Sequence, residues 1–383
     1  MIPGFTSTRS KRPEALFGSE AGGPGRMVRA EGCRVWDDQG REYLDTIMAL
    51  GAVGLGYGYP TVVTAVETAA RNGIVGALSP ALEAEVSEML ATVLPGGEAS
   101  RFFKTGAEAV AAAVRIARTY TGRERVLTCG YHGWLDWCQE GSGVPQATSS
   151  LRREIAFNDV AAVERAMSEF GPVAAVVVEP VIDGPPTAEW LRALRQATRS
   201  NSSVLVFDEI KTAFRVEMGG MAERMEITPD LMAVAKALGN GLPIAAVVGR
   251  KDLMEAATRT FISSTLATEY VSLAAARAVL ESYREHAVVH RIAVAGGRFL
   301  VGLERLSKQF PRLVRRTRGI PQMCYLEFAD ERISSAVALS AARARLLFKR
   351  SAYNFMSLAH TDEVVDEILV RLESALDMVD RTC

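Results

Sequence analysis

The chain has 383 residues, 48% of them hydrophobic, which is enough for one large domain with a substantial core and a smaller one beside it. A formal net charge of −1, from 44 basic and 45 acidic residues, supplies no global basic field and argues against nucleic acid or an anionic membrane as partner. Five cysteines (Cys33, Cys129, Cys138, Cys324, Cys383) lack C-x-x-C or zinc-type spacing and read as reduced thiols of a cytoplasmic protein, and no apolar run has signal-peptide or membrane-spanning length.

In chain order, residues 35–45 (Val-Trp-Asp-Asp-Gln-Gly-Arg-Glu-Tyr-Leu-Asp) predict a hairpin around a polar Asp-Gln-Gly turn. After the Gly-rich stretch 51–58, Pro60 opens a helix to Ala70, and a second helix is expected over 82–94, before Pro95-Gly-Gly. From about residue 100, short apolar runs alternate with amphipathic stretches, which predicts a largely parallel sheet with crossover helices. Residues 101–104 lead into a helix over 107–120; strands follow at 125–129 and 173–178, a helix at 189–198, and strands at 204–207 and 244–248. These runs lack strict alternation, so both faces of the sheet should be covered. The last third reads as α+β, with helices over 271–283 and 294–306, a strand at 323–328, a helix over 335–348, a strand at 355–358 and a terminal helix over 362–379. Domains are expected at 1–60, 61–285 and 286–383, the first and last forming one small lobe.

Ligand sites in such a sheet collect at the C-terminal ends of strands, and the chemically distinctive residues of this chain fall there. Lys236 sits in the Gly-rich run Ala-Lys-Ala-Leu-Gly-Asn-Gly-Leu-Pro, and Asp208 ends the apolar run Val-Leu-Val-Phe. A lysine in such a turn, after a carboxylate at a buried strand end, suits pyridoxal 5′-phosphate (PLP): the amine makes a Schiff base with the aldehyde, and the carboxylate keeps the pyridine nitrogen protonated. Only seven lysines are present (Lys11, Lys104, Lys211, Lys236, Lys251, Lys308, Lys349), and arginine cannot deprotonate to replace them as nucleophile. Thr105, Gly106 and Ala107 stand where a strand turns into a helix, a place for a phosphate; alone, T-G-x-E reads equally as an N-terminal cap. Tyr131, after the strand at 125–129, has the shape to stack on a planar ring, although a core aromatic is the commoner role. His286 and His290 have i,i+4 spacing without a third ligand, so a solvated helix face is expected rather than a metal site.

Taken together, these segments resemble the fold-type I PLP enzymes, specifically the class III aminotransferases and their glutamate-1-semialdehyde aminomutase-like branch. The likeness runs through the 32–45 hairpin, Thr105-Gly-Ala-Glu-Ala109, Tyr131-His-Gly133, Phe157-Asn-Asp159, Val178-Glu-Pro180, Phe207-Asp-Glu-Ile-Lys-Thr-Ala-Phe-Arg215, Lys236 with its Gly-Asn-Gly-Leu-Pro, and Ser357-Leu-Ala-His-Thr361. It implies an α/β fold with a mostly parallel central sheet, flanking helices and a smaller α+β lobe drawn from both termini. By the resemblance, Lys236 holds the cofactor and then moves the proton between Cα and C4′. Asp208 binds the pyridine nitrogen, Tyr131 and Ile210 sandwich the ring, Gly106 and Ala107 hold the phosphate through their amides, and Glu179 is an acid near the ring. Thr265 matches the threonine that reaches the phosphate of the neighbouring subunit, which implies a homodimer with shared active sites and no metal.

The chain also departs from that branch. Ala352 stands where the aminomutases carry a glutamate before the S-x-A-H segment, Thr268-Glu269-Tyr270 replaces the usual Gly-Asn-Pro, and the segment between Trp134 and Phe157 is short. The late arginine that many ω-aminotransferases use for an α-carboxylate has no clear counterpart here either. The expectation is therefore an aminotransferase that moves an amino group from a small-molecule donor to a ketone or aldehyde, in sugar, cyclitol or natural-product biosynthesis. An intramolecular aminomutase is the alternative, and decarboxylation or racemisation on the same electron sink is a third.

Overall fold

Residues 2–18 and 22–382 are described by the computed structural model; Cys383 lies outside the described residues. The chain divides into two units, one of Met1–Pro60 with His290–Cys383 and one of Thr61–Val289.

The first unit opens with β1 (Met27–Glu31), β2 (Arg34–Asp37) and β3 (Glu42–Asp45), joined antiparallel. The expected hairpin is β2–β3, and its turn is organised by Asp37, whose carboxylate accepts from the amides of Gln39 (3.1 Å) and Arg41 (3.0 Å) and from Arg41 Nε (2.7 Å). Beyond β3 the backbone does something no residue pattern announces. Met48, Ala49, Leu50 and Gly51 have φ of 45°, 50°, 61° and 81°, a left-handed turn that costs L-residues about 1–2 kcal/mol each. Asp45 braces its entry, accepting from Ile47 N (2.7 Å) and Tyr57 Oη (2.7 Å), and glycine is required at 51 because a Cβ there would meet the Phe355 ring at 2.7 Å.

The second unit is built on β4 (Ala99–Phe103), β5 (Arg125–Cys129), β6 (Arg152–Glu154), β7 (Val173–Val178), β8 (Val204–Asp208), β9 (Leu231–Val234) and β10 (Ala245–Gly249). Their order across the sheet is β4-β10-β9-β8-β7-β5-β6, with β9 to β6 parallel and β10 antiparallel to both of its neighbours. Every residue of β7 and β8 is buried, as expected for a sheet covered on both faces. The helix Gly106–Thr121 lays Val110, Ala113, Val114 and Ala117 onto Val126, Val177, Val206 and Val247 of the sheet. Strands β6 and β9 were not anticipated. β6 is three partly exposed residues, and β9 is a four-residue apolar run that ends against the functional turn, where strand pattern gives way to Gly-Asn-Gly.

The chain then returns to the first unit with β11 (Val314–Ile320), β12 (Met323–Phe328), β13 (Leu346–Leu347) and β14 (Asn354–Phe355). The sheets are β11-β12-β14 and β1-β2-β3-β13, β13 running parallel to β3. Two expectations need correction. The helix placed over 335–348 spans Glu331–Arg343, because Asp330 caps its start through Ile333 N (2.8 Å) and Arg345, at φ 63°, turns the chain into β13. The strand placed at 355–358 is only Asn354–Phe355; Ser357 instead closes a turn, its N–H donating to His360 Nδ1 (3.0 Å). β11, with Arg315, Arg316 and Arg318 along it, carried too much charge to be read as a strand.

Among the described residues, no helix is long and apolar enough to cross a membrane. Leu205 sits fully buried at the centre of β8. Leu205→Ala should lower the unfolding free energy of the unit Thr61–Val289 by about 2–5 kcal/mol, read as a lower urea midpoint by near-ultraviolet circular dichroism.

Candidate active site

The parallel register brings several strand ends to one edge: Cys129 pairs with Val178, Val178 with Phe207, and Asp208 with Ala233. Residues just past those ends gather in a cavity of about 340 Å³, walled by Lys104–Ala107, Tyr131–Trp134, Glu179, Asp208, Ile210, Lys211, Ala235, Lys236 and Leu242–Ile244. Seven of the eight residues picked out in the sequence are there: Lys236, Gly106, Ala107, Tyr131, Glu179, Asp208 and Ile210. The eighth, Thr265, lies apart in an exposed turn.

Lys236 opens a short 3-10 turn, Lys236–Gly239, two residues after β9, with φ of 47°. A non-glycine residue in that region is strained, and strain of this kind persists where surrounding structure fixes it. The amine is pushed down from its ordinary value to about 8, first by burial and next by the Lys211 ammonium; Glu179 and Asp208 oppose the shift and Arg215 adds to it. At pH 7 about one Lys236 in ten is then uncharged, compared with well under one in a thousand for an ordinary lysine.

Asp208 is buried at the end of β8, and its Oδ2 lies 2.8 Å from His132 Nδ1. A carboxylate accepts, so Nδ1 carries the proton. The imidazole stacks on Trp137 (centroids 6.2 Å apart, 23° between planes), which fixes the ring that fixes the carboxylate. His132 was visible in the Tyr-His-Gly run, yet its partner is 76 residues away and no local signal names it.

Glu179 is held from two sides. Its Oε2 accepts from Tyr131 N (2.9 Å) and its Oε1 is 3.0 Å from Lys211 Nζ. Gly130 makes this possible: its φ is 102°, and a Cβ there would stand 2.7 Å from Glu179 Oε2. Lys211 was named in the sequence among the seven lysines and inside a motif, without a role; three of those seven lysines line this one cavity.

At the opposite end, Thr105 caps the helix Gly106–Thr121 with a capping box: Thr105 Oγ1 accepts from Glu108 N (3.2 Å) and Glu108 Oε2 accepts from Thr105 N (2.8 Å). The amides of Gly106 and Ala107, in the first turn, have no intrahelical acceptor and remain available to an anion. The backbone is drawn in tightly, for a Cβ on Gly106 would meet Ile210 at 2.5 Å and one on Gly133 would meet Ala107 at 2.6 Å. His286 caps the C-terminus of the helix Tyr270–Glu285, while His290 lies on the next helix, Val288–Gln309, so the pair does not share a helix face. No group of three or more potential metal ligands gathers among the described residues.

The donor set fits PLP on its chemistry. A lysine that is partly neutral near pH 7, a buried carboxylate for the pyridine nitrogen, an apolar wall at Ile210, an aromatic at Tyr131 and free amides at a helix start stand around one cavity.

The family described as Aminotransferase class-III matches over residues 23–376. A glutamate-1-semialdehyde 2,1-aminomutase from Thermomicrobium roseum is 34% identical over 410 residues, covering 96% of this chain and 94% of that protein. Another from Aquifex aeolicus is 30% identical and covers 95% of each. Among solved structures, the FumI protein of Sphingopyxis sp. MTA144, in its PLP internal aldimine form, superposes with a TM-score of 0.94 at 26% identity over 100% of this chain and 94% of that one. An omega-transaminase from Sphaerobacter thermophilus, 23% identical, shares the fold with a TM-score of 0.86 over 93% of this chain and 91% of that one.

Lys236 in the cofactor-free protein should be acylated by a small amine reagent at a rate that climbs as pH rises through about 8, where its uncharged form takes over. Peptide mass spectrometry across pH 6–11 checks this, with Lys251 as the internal reference; a midpoint for Lys236 near 10.5 would contradict the lowered value.

Proposed function

Because the chain belongs to the class III aminotransferase family, we propose that it is a PLP-dependent aminotransferase that moves an amino group from a small-molecule donor to a ketone or aldehyde, in the cytoplasm. The observation that carries this reading is Lys236, held in strained backbone with a lowered amine pKa, in one cavity with Asp208. When bound, PLP supplies an electron sink that lets a proton leave the donor carbon.

The chain's own groups divide the rest of the work. Lys236 would hold the cofactor through its amine and, once released by a donor, would be the base that takes up and gives back the donor-carbon proton. Asp208 places a negative charge against the pyridine nitrogen, and His132 keeps that carboxylate from turning away. Ile210 and Tyr131 confine the ring between an aliphatic and an aromatic face, and the amides of Gly106 and Ala107 hold the phosphate at the positive end of their helix. Glu179, clamped by Lys211 and the Tyr131 amide, stays close to the ring without drifting toward Lys236.

A second reading, the intramolecular aminomutase, is favoured by the relatives named above. It would use the same half-reactions on one substrate. The absence of a glutamate at Ala352 supports the intermolecular reaction instead.

The family likeness also supports a homodimer. Thr265 sits between Phe261 (80% exposed) and Leu266 (49%), and the neighbouring loop tied in by Tyr270 N to Ile74 O (2.7 Å) exposes Leu78 (87%). An apolar surface of this kind suits a second copy that receives Thr265 at its phosphate site.

Two experiments test the function. A lysine-dependent visible absorption band on adding PLP should convert to the pyridoxamine form with an amino donor, vanish in Lys236→Ala, and return only when a separate carbonyl acceptor is added. Turnover of a single substrate without acceptor would establish the aminomutase. For the dimer, Lys236→Ala and Thr265→Ala chains, each impaired alone, should recover up to about a quarter of wild-type activity after mixed refolding, since half the chains form heterodimers and each heterodimer has one intact site.

A further inference from the structure

Lys104 is the cavity cation that the proposed reaction leaves unused. It follows β4 and stands in the wall immediately before Thr105, Gly106 and Ala107. Its ammonium lies 2.8 Å from Glu269 Oε1, and the two side chains are 15% and 10% exposed.

The placement of Glu269 gives this pair its character. Glu269 is absent from the cavity wall; it is the N-cap of the helix Tyr270–Glu285, accepting from Val271 N (2.7 Å) and Ser272 N (3.0 and 3.2 Å). Its charge is thus shared between the positive helix end and Lys104. Lys211 is in the opposite position, because its partner Glu179 lines the same cavity and the pair presents no net charge there. An ammonium has three donors and Glu269 takes one, so Lys104 keeps two for a ligand. A fixed, incompletely neutralised cation thus belongs to the cavity-wall residue that precedes Thr105 and the two open helix-start amides.

We propose that Lys104 is an anion-binding residue at this end of the cavity, its ammonium donating to a phosphate or carboxylate oxygen. The two sources of such an oxygen are the phosphate of the cofactor and a carboxylate on the substrate. Adjacency to the Gly106 and Ala107 amides favours the phosphate, and the Glu269 found in place of the family's usual asparagine is then the counter-ion that lets a lysine be stored there. The inference rests on the reading of this cavity as the PLP site.

The test compares Lys104→Met, Lys104→Arg and Glu269→Gln with the wild type. Affinities of the cofactor-free proteins for PLP and for pyridoxal, which lacks the phosphate, are measured by absorbance titration. KM is measured on the holoenzymes for L-glutamate against isopropylamine, an amino donor without a carboxylate. With the phosphate as ligand, Lys104→Met should weaken PLP about tenfold or more and leave pyridoxal unchanged, while Lys104→Arg retains most of the affinity. With a substrate carboxylate as ligand, PLP affinity should hold and the KM ratio of L-glutamate to isopropylamine should rise about tenfold. Glu269→Gln, which keeps an acceptor at the helix start but removes the counter-charge, should strengthen whichever contact is real, and it serves if Lys104→Met does not fold. Unchanged PLP affinity together with an unchanged KM ratio would overturn the proposal. The PLP-to-pyridoxal comparison needs no turnover, so it stands even where transamination fails.

Discussion

The parallel register of β5, β7, β8 and β9 is the constraint on which the site depends. Cys129, Val178 and Phe207 pair in line across three strands, so the residues that follow them leave the sheet at one edge. A one-residue slip in a parallel strand would turn its alternate side chains to the other face and separate Asp208 from His132. The buried valines of β7 and β8 therefore act on chemistry through geometry: they contact nothing that reacts, yet they set the distances among groups that do.

Given that edge, electrostatics decides what each group can be. Three lysines share one cavity, and like charges held out of water disfavour one another. The structure resolves this by assigning Glu179 to Lys211 and Glu269 to Lys104, leaving Lys236 without a carboxylate of its own. The lysine that is left is the one whose amine falls to about 8. Lys211 is the nearest case of a charge acting at a distance, since its ammonium is the second cause of that fall while its contact is with Glu179.

Much of this was legible in the sequence, for identifiable reasons. β5, β7 and β12 were placed to the residue because each is a short apolar run between clear breakers. Seven of the eight residues picked out in the sequence line one cavity: Asp208 and Tyr131 stood out because they follow strand ends, where an open sheet puts its ligand, and Glu179 and Ile210 were picked out through the family resemblance. Contacts across the chain were not legible. His132 with Asp208, Lys211 with Glu179 and Lys104 with Glu269 are separated by 76, 32 and 165 positions, and no local pattern pairs them. Nor was the left-handed turn at Met48–Gly51 legible, since Met, Ala and Leu are there against their own backbone preference and only the brace from Asp45 and the close approach of Phe355 account for it.

The scarcity of lysine explains why so small a set of cations could be sorted so cleanly. An arginine at 211 would bring a fork of five donors and a charge that never leaves, able to seize Asp208 or Glu179 from two directions. A lysine brings a compact point charge that one carboxylate can hold at a single contact. At 236 the requirement is stricter, because the residue must spend part of its time uncharged. The surface has no such requirement, and there the chain uses arginine almost throughout, as in the Arg298–Asp366 and Arg316–Glu327 pairs. Where lysine lines the cavity, it marks a place at which a single movable contact or a lost proton matters.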